Sequence, residues 1–235
     1  MNAPLLVADC VSKSFGTRRV LTAGSLRAQA GEVRVLLGRN GIGKSTLMKI
    51  AAGVVQADAG TVRLDGRAML SPSLPVLARA GLFYLPDHDI LSPRVPLGTQ
   101  LRLFEQRFAG RSAEEAARLA DVTHFWAAQP SALSGGELRR AELALALSRR
   151  PRCLLADEPF RGIAPVDHDR LSAVFRQLAA DGCAVVITGH EVHSLLAVAD
   201  HVTWCTSGTT YELGAPATAL EHEAFQREYA IGVQL

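Results

Sequence analysis

The sequence predicts an α/β fold: a parallel sheet covered by helices, flanked by antiparallel β structure and interrupted by an inserted helical lobe. Three observations carry this. Residues 33–37, 152–157 and 183–188 are short, nearly continuous apolar runs, as expected of parallel strands buried on both faces. The first ~30 residues alternate in polarity, as strands with one wet face do. From about Pro96 to Arg150 the apolar spacing becomes helical. At 235 residues the chain is read as a single domain. Residues 1–93 and 151–235 form its core and β flank, and 94–150 its lobe.

Residues 7–11 and 20–24 read as antiparallel strands. The apolar run 33–37 is a buried strand, and a helix-forming run at 45–50 follows it. Between them lies Gly38-Arg39-Asn40-Gly41-Ile42-Gly43-Lys44-Ser45-Thr46, which fits G-x-x-x-x-G-K-[ST] without mismatch. Strand, glycine loop and helix is the setting this motif requires. Gly38, Gly41 and Gly43 let the chain curl so that backbone N–H groups, including those near Asn40 and Thr46, cradle phosphate oxygens. The helix N-terminus favours the same charge. Lys44 is placed to reach the outer phosphates and the Ser45 hydroxyl to hold Mg²⁺. The core is therefore expected to be of the P-loop NTPase type and to bind a nucleoside triphosphate.

Residues 61–66 read as a strand ending in a tight turn, and 81–85 as a short strand stopped by Pro86. Leu97, Leu101 and Phe104 share a helical stripe. Ser112 and Glu115 have the spacing of a reciprocal helix cap. A helix near 166–178 joins the strands 152–157 and 183–188, and strands near 201–205 and 209–213 close the fold.

Composition narrows the function classes. The chain is 48% hydrophobic, 6% aromatic and carries a net charge of +2, with its arginines scattered, so no nucleic-acid partner is expected. No apolar stretch approaches the ~18–20 residues of a membrane span. Met1-Asn2-Ala3-Pro4 lacks the pattern of a secretory leader. Cys10, Cys153, Cys183 and Cys205 are far apart, form no C-x-x-C pair and fall in strand-like runs. All four are expected to be small buried hydrophobes in a reduced, cytoplasmic protein.

Leu133-Ser134-Gly135-Gly136-Glu137 adds a second phosphate-facing element. Ser134 and Glu137 alone make a capped helix start. Two glycines in the first helical turn cost about 0.5–1 kcal/mol each against alanine, and make sense where another group approaches the backbone. In a chain with a phosphate loop this segment resembles the signature motif of the ATP-binding cassette (ABC) family.

The other motifs of that family follow in order, so the resemblance covers residues 5–216. It implies that Ser134, Gly135, Gly136 and Glu137 contact ATP bound by a second ABC ATPase subunit, identical or not. Cys153-Leu154-Leu155-Ala156-Asp157 resembles Walker B, which implies that Asp157 holds Mg²⁺. Glu158 matches the general base for the attacking water, and His190 the switch histidine at the γ-phosphate. Phe15 sits where an aromatic ring stacks on adenine, a core phenylalanine being the alternative. The remaining histidines are expected to be structural.

The chain departs from the family at Asp87, where glutamine is usual. A carboxylate ~4 Å from a phosphate charge is repelled by about 4 kcal/mol at an effective dielectric of ~20. Either Mg²⁺ screens Asp87, making it a third metal group beside Ser45 and Asp157, or it faces solvent with His88 or Arg94. Arg161-Gly162-Ile163-Ala164-Pro165 carries Ala164 where the dimer-contact loop often has aspartate. It is similar to the branched-chain amino-acid import and lipopolysaccharide-export subgroup. The resemblance implies an ATP-hydrolysing transporter subunit on the cytoplasmic membrane face, held there by a transmembrane permease. A soluble ABC-type ATPase, or a nucleotide-gated clamp with weak hydrolysis, remains the alternative.

Overall fold

The computed structural model describes residues 3–108 and 110–229. Met1 and Asn2 of the leader reading, and residues 109 and 230–235 of the expected domain, lie outside the described residues. One ten-stranded sheet organises the chain, in the order β5-β4-β1-β2-β10-β9-β3-β8-β7-β6.

Its flank is antiparallel. β1 (Leu6–Phe15) pairs with β2 (Arg18–Ala28) and with β4 (Ala59–Leu64), which turns at Asp65 and Gly66 into β5 (Arg67–Met69). Both turn residues have positive φ, 52° and 73°, which a tight hairpin needs. The core is parallel: β3 (Val33–Leu37) pairs with β8 (Ala184–Gly189), β8 with β7 (Cys153–Ala156), and β7 with β6 (Leu82–Leu85). β9 (His201–Thr206) runs parallel to β3 and antiparallel to β10 (Thr209–Gly214). Flank and core meet at one ladder pair, Thr209 with Ala23. Threonine hydroxyls supplement it: Thr209 Oγ1 donates to Ala23 O at 3.0 Å, and Thr210 Oγ1 donates to Ser25 O at 2.9 Å.

Each core strand is apolar on both faces because each face has its own cover. Val33, Val35 and Leu37 share one core with Val185 and Ile187; Leu36 shares the other with Leu155 and Val186. The second core is filled by the helix α1 (Lys44–Ala51) and the inner face of the flank. The first is filled by α3 (Leu97–Arg107), α4 (Ala113–Leu119), α5 (Gly135–Arg149), α6 (Pro165–Ala180) and α7 (Val192–Val198). α2 (Leu74–Arg79) precedes β6, and α8 (Pro216–Glu221) and α9 (Glu223–Tyr229) follow β10. α3 to α5 lie between β6 and β7 in sequence, in agreement with the helical pattern of that stretch.

Two local expectations need correction. Cys153, Cys183 and Cys205 are buried, and burial pushes the Cys205 thiol up to about 11; Cys10 is exposed. It sits at a register shift of β1 with φ 48°, so the extra bulge residue turns its side chain outward. At α4 only half of the reciprocal cap forms. Ser112 Oγ accepts from Glu115 N at 3.1 Å, but the Glu115 carboxylate accepts from Arg111 Nε at 3.2 Å instead.

α5 is buried along most of its length, including Arg139, Arg140 and Glu142. Arg139 Nη1 donates to Pro86 O at 3.1 Å, and Glu142 Oε1 accepts from Ile90 N at 2.7 Å. The two side chains lie 2.8 Å apart and clamp the loop after β6 onto the helix. Removing one member strands the other charge in the interior, a loss of about 3–5 kcal/mol. Glu142→Ala is expected to show that loss in denaturant unfolding, and Glu142→Gln, which keeps the acceptor, a smaller one. Burial also pushes the Glu142 carboxyl above its ordinary 4.5, against the pull of Arg139. Its proton therefore favours the folded state fully below that ordinary value, and the contribution fades as pH rises through the folded value. The loss from Glu142→Gln should thus be larger at pH 5 than at pH 8.

Candidate nucleotide site

The glycine loop turns from β3 into α1 with Gly41 at φ 76° and Gly43 at φ 118°, conformations that side chains resist. Packing imposes a second demand. A Cβ on Gly43 would lie 2.8 Å from Leu21 Cδ2, and one on Gly38 2.5 Å from Cys205 O. Lys44 folds back inside the loop, where its Nζ donates to Gly38 O at 2.8 Å and Arg39 O at 3.1 Å. Burial lowers its pKa, while Glu158 and Asp157 pull it back up.

β7 delivers Asp157, wholly buried, beside the first turn of α1. Its Oδ1 accepts from Ser45 Oγ at 2.9 Å and from Thr188 Oγ1 at 2.7 Å; Tyr84 OH lies 3.4 Å from Oδ2. Thr188 Oγ1 in turn accepts from Glu158 N at 2.9 Å. Glu158 has φ 46°, a left-handed backbone costing about 1–2 kcal/mol for a residue with a Cβ. Its carboxylate lies 4.0 Å from Lys44 Nζ on one side and 4.0 Å from His190 Nδ1 on the other. His190 Nε2 is 3.4 Å from Glu191 Oε1. Lys44, Ser45, Asp157, Glu158 and His190 thus converge from three separate strand ends.

The sequence does not single out Thr188 or Tyr84. Each is a lone hydroxyl in an otherwise apolar strand, at or next to its carboxyl end. Burial and the negative charges of Asp157 and Asp87 push the Tyr84 phenol up, which keeps it a neutral donor.

Asp87 does not join Ser45 and Asp157 in a bonded cluster. It is exposed, 3.5 Å from His88 Nδ1, and the alternative pairing with Arg94 does not form. Phe15 is 51% exposed, so it is not a core residue. It edges a cleft of about 250 Å³ that also touches Arg18, Gly41, Gly43, Lys44, Ser45, Thr46 and Glu158.

Residues 134–137 lie apart from this cleft. Here both halves of the cap form: Ser134 N donates to Glu137 Oε2 at 2.8 Å, and Glu137 N donates to Ser134 Oγ at 3.4 Å. The backbone N–H of Ser134 holds the Glu137 carboxyl below its ordinary value. Gly136 meets a further constraint within the chain. A Cβ on Gly136 would lie 2.5 Å from Asp167 Oδ2, so the close approach there comes from α6 of the same chain. Gly135 meets only Gly162 O at 3.6 Å and Ile163 Cδ1 at 3.7 Å.

Residues 21–161 match the family model of the ABC transporter. A probable ABC transporter ATP-binding protein of Azorhizobium caulinodans is 36% identical over 95% of this chain and 82% of its own length. The lipopolysaccharide export system ATP-binding protein of Escherichia coli is 32% identical over 95% of this chain and 96% of its own. Among solved structures, an ATP-binding cassette of an ABC transporter in its ADP conformation superposes with a TM-score of 0.84. It covers 98% of this chain and 100% of its own, at 22% identity. A bacterial Atm1-family ABC exporter with ATP bound gives the same TM-score at 21% identity, over 100% of this chain and 43% of its own. The phosphate loop and the carboxylates around it therefore sit in a known frame: the chain belongs to the ABC transporter family, as one of its ATP-binding subunits.

Proposed function

We propose that this subunit hydrolyses ATP between two cassettes and passes the resulting motion to a transmembrane permease. The observation that carries the reading is Glu158, held by a strained backbone midway between Lys44 and His190. Lys44 leaves the loop carbonyls for the outer phosphates, whose charge compensates the burial that lowers its pKa. Glu158 takes the proton of the water that attacks the γ-phosphate, and His190 steadies that phosphate. The work is positioning and charge compensation.

The Ser45 hydroxyl and the Asp157 carboxylate, hydrogen-bonded at 2.9 Å, are the hard oxygen donors that Mg²⁺ accepts. When bound there, it would offset charge on the phosphates. Asp87 would have to swing from His88 to join them.

The signature residues 134–137 would serve the nucleotide of a second copy or of a related cassette. Residues 94–150 would act as the lobe that carries them, clamped by Arg139 and Glu142 to the Asp87 loop. Between α2, β6 and α3 lies an apolar groove of about 530 Å³ lined in part by Phe83, Phe104, Phe108 and Arg149, a seat for a permease segment. No helix among the described residues is long and apolar enough to cross a membrane, so that partner would supply the attachment to the cytoplasmic face. The relative in Escherichia coli is named for lipopolysaccharide export, and an envelope lipid substrate is the corresponding proposal here.

Lys44→Ala should weaken ATP binding, measured by calorimetry. Glu158→Gln should keep the affinity, lower kcat by at least ~10²-fold and trap an ATP-bound dimer on gel filtration. Turnover at the parent rate in Glu158→Gln would remove the base assignment.

Mixing Lys44→Ala with Ser134→Arg chains, each inactive, should restore some of the ATPase activity through one intact composite site. No recovery in verified mixed dimers would count against a site shared between copies, or show that both sites must be intact.

Asp87→Gln should raise kcat and shift the Mg²⁺ optimum, because a carboxylate can favour the ground state without helping the transition state. Unchanged rates and Mg²⁺ dependence in both Asp87→Gln and Asp87→Ala would leave the loop a mechanical link.

A further inference from the structure

We infer that Arg18 is a second phosphate-binding cation of the nucleotide site, gripping the phosphates nearest the base; this rests on the ATP-binding reading of the cleft. β1 and β2 meet in a hairpin in which Phe15 and Arg18 are direct partners across the turn. Opposite residues of an antiparallel pair project to the same side. Gly16, with φ 60°, makes the two-residue connection possible. One hairpin end therefore presents a flat ring and a guanidinium side by side, the pair of groups suited to a base and its attached phosphates.

The arginine reaches the phosphate loop. Its Nη2 lies 4.0 Å from the position a Cβ on Gly41 would take, and Arg18 lines the same cleft as Gly41, Lys44 and Glu158. The adjacent strand partners Ser14 and Arg19 serve the other side. Ser14 N donates to Asp58 Oδ2 at 2.7 Å, and that carboxyl is held low by Lys13 first, by the Ser14 amide next and by Arg19 last. Among the described residues no carboxylate lies within ion-pair distance of Arg18, whereas Lys13 of the same hairpin is paired with Asp58 at 2.7 Å. Lys44 approaches from beneath the loop and Arg18 from the hairpin, so a phosphate chain on the Gly41–Gly43 backbone would run between two cations. The planar guanidinium can take two oxygens at once, which an ammonium cannot.

Proximity to Phe15 decides which phosphates. Groups next to the base are shared by ATP and ADP and change little as the terminal bond breaks. Arg18 therefore contributes equally to ground and transition states, which alters KM and leaves kcat alone. It is a binding residue, distinct in effect from Lys44 and Glu158.

Calorimetric titration of Arg18→Ala, Arg18→Lys and the parent with ATP, ADP and adenosine tests this. Arg18→Ala should weaken ATP and ADP alike, by about tenfold, leave adenosine unchanged, raise KM and keep kcat. It should also flatten the dependence of ATP affinity on salt, and Arg18→Lys should recover some of the loss. Unaltered ADP affinity, an equal loss for adenosine, or a fall in kcat at constant KM would each overturn the assignment. Lys44→Ala in the same titration separates the two levels. If it weakens ATP while Arg18→Ala does nothing, only the inference fails; if neither does anything, the nucleotide reading fails with it.

Discussion

The parallel register of β3, β8 and β7 is the constraint on which the rest depends. Leu37 stands opposite Gly189, and Ala156 opposite Ile187, so β3 and β8 end at one level, β7 ends two residues earlier, and all three open onto the same edge of the sheet. Everything chemical leaves from that edge: the glycine loop after β3, Asp157 and Glu158 after β7, His190 after β8. A shift of one residue in any strand would turn its side chains to the other face and exchange the two cores. The apolar packing on both sides of the sheet is therefore also what sets the spacing of the charged groups.

Within that edge, Thr188 is the fastener. Its hydroxyl donates to Asp157 and accepts from the Glu158 amide, using both capacities of one oxygen. The arrangement holds the left-handed turn at Glu158 against its conformational cost. It also leaves the Glu158 carboxylate free of the backbone and directed at Lys44 and His190. A strained acid supported by a rigid neighbour is a common form of preorganisation at functional sites.

The fold class is legible because burial on both faces and helical spacing leave unmistakable patterns, and the phosphate loop because glycine is forced at Gly43 by both φ and Leu21. What escapes the sequence depends on tertiary partners. Thr188 looks like any β-branched strand residue until Asp157 is placed beside it. Cys10 reads as a member of an apolar strand because a bulge has no signature there. Ser112 and Glu115 have the right spacing for a reciprocal cap, but Arg111 competes for the carboxylate. The glycine at 136 reads as room for a ligand, and the contact with Asp167, which would also exclude a Cβ there, appears only once α6 is packed beside it. α2, α7, α8 and α9 are six or seven residues long, too short for a periodic pattern to declare itself.

The seam between β2 and β10 divides the labour of the cleft. Within the sheet, a single ladder pair, the Thr22 and Ala23 amides on Gly208 O and two threonine hydroxyls join the antiparallel flank to the parallel core, while beneath it Leu21 and Leu26 of the flank share an apolar core with Leu36, Leu155 and Val186. Breaking those bonds alone would not part the two, because the apolar area buried between them would also have to meet water. Phe15 and Arg18 line the cleft from the flank, and Lys44, Ser45 and Glu158 line it from the core. The two walls of the cleft are therefore held in line less by the sheet's ladder than by the carbon packed beneath it.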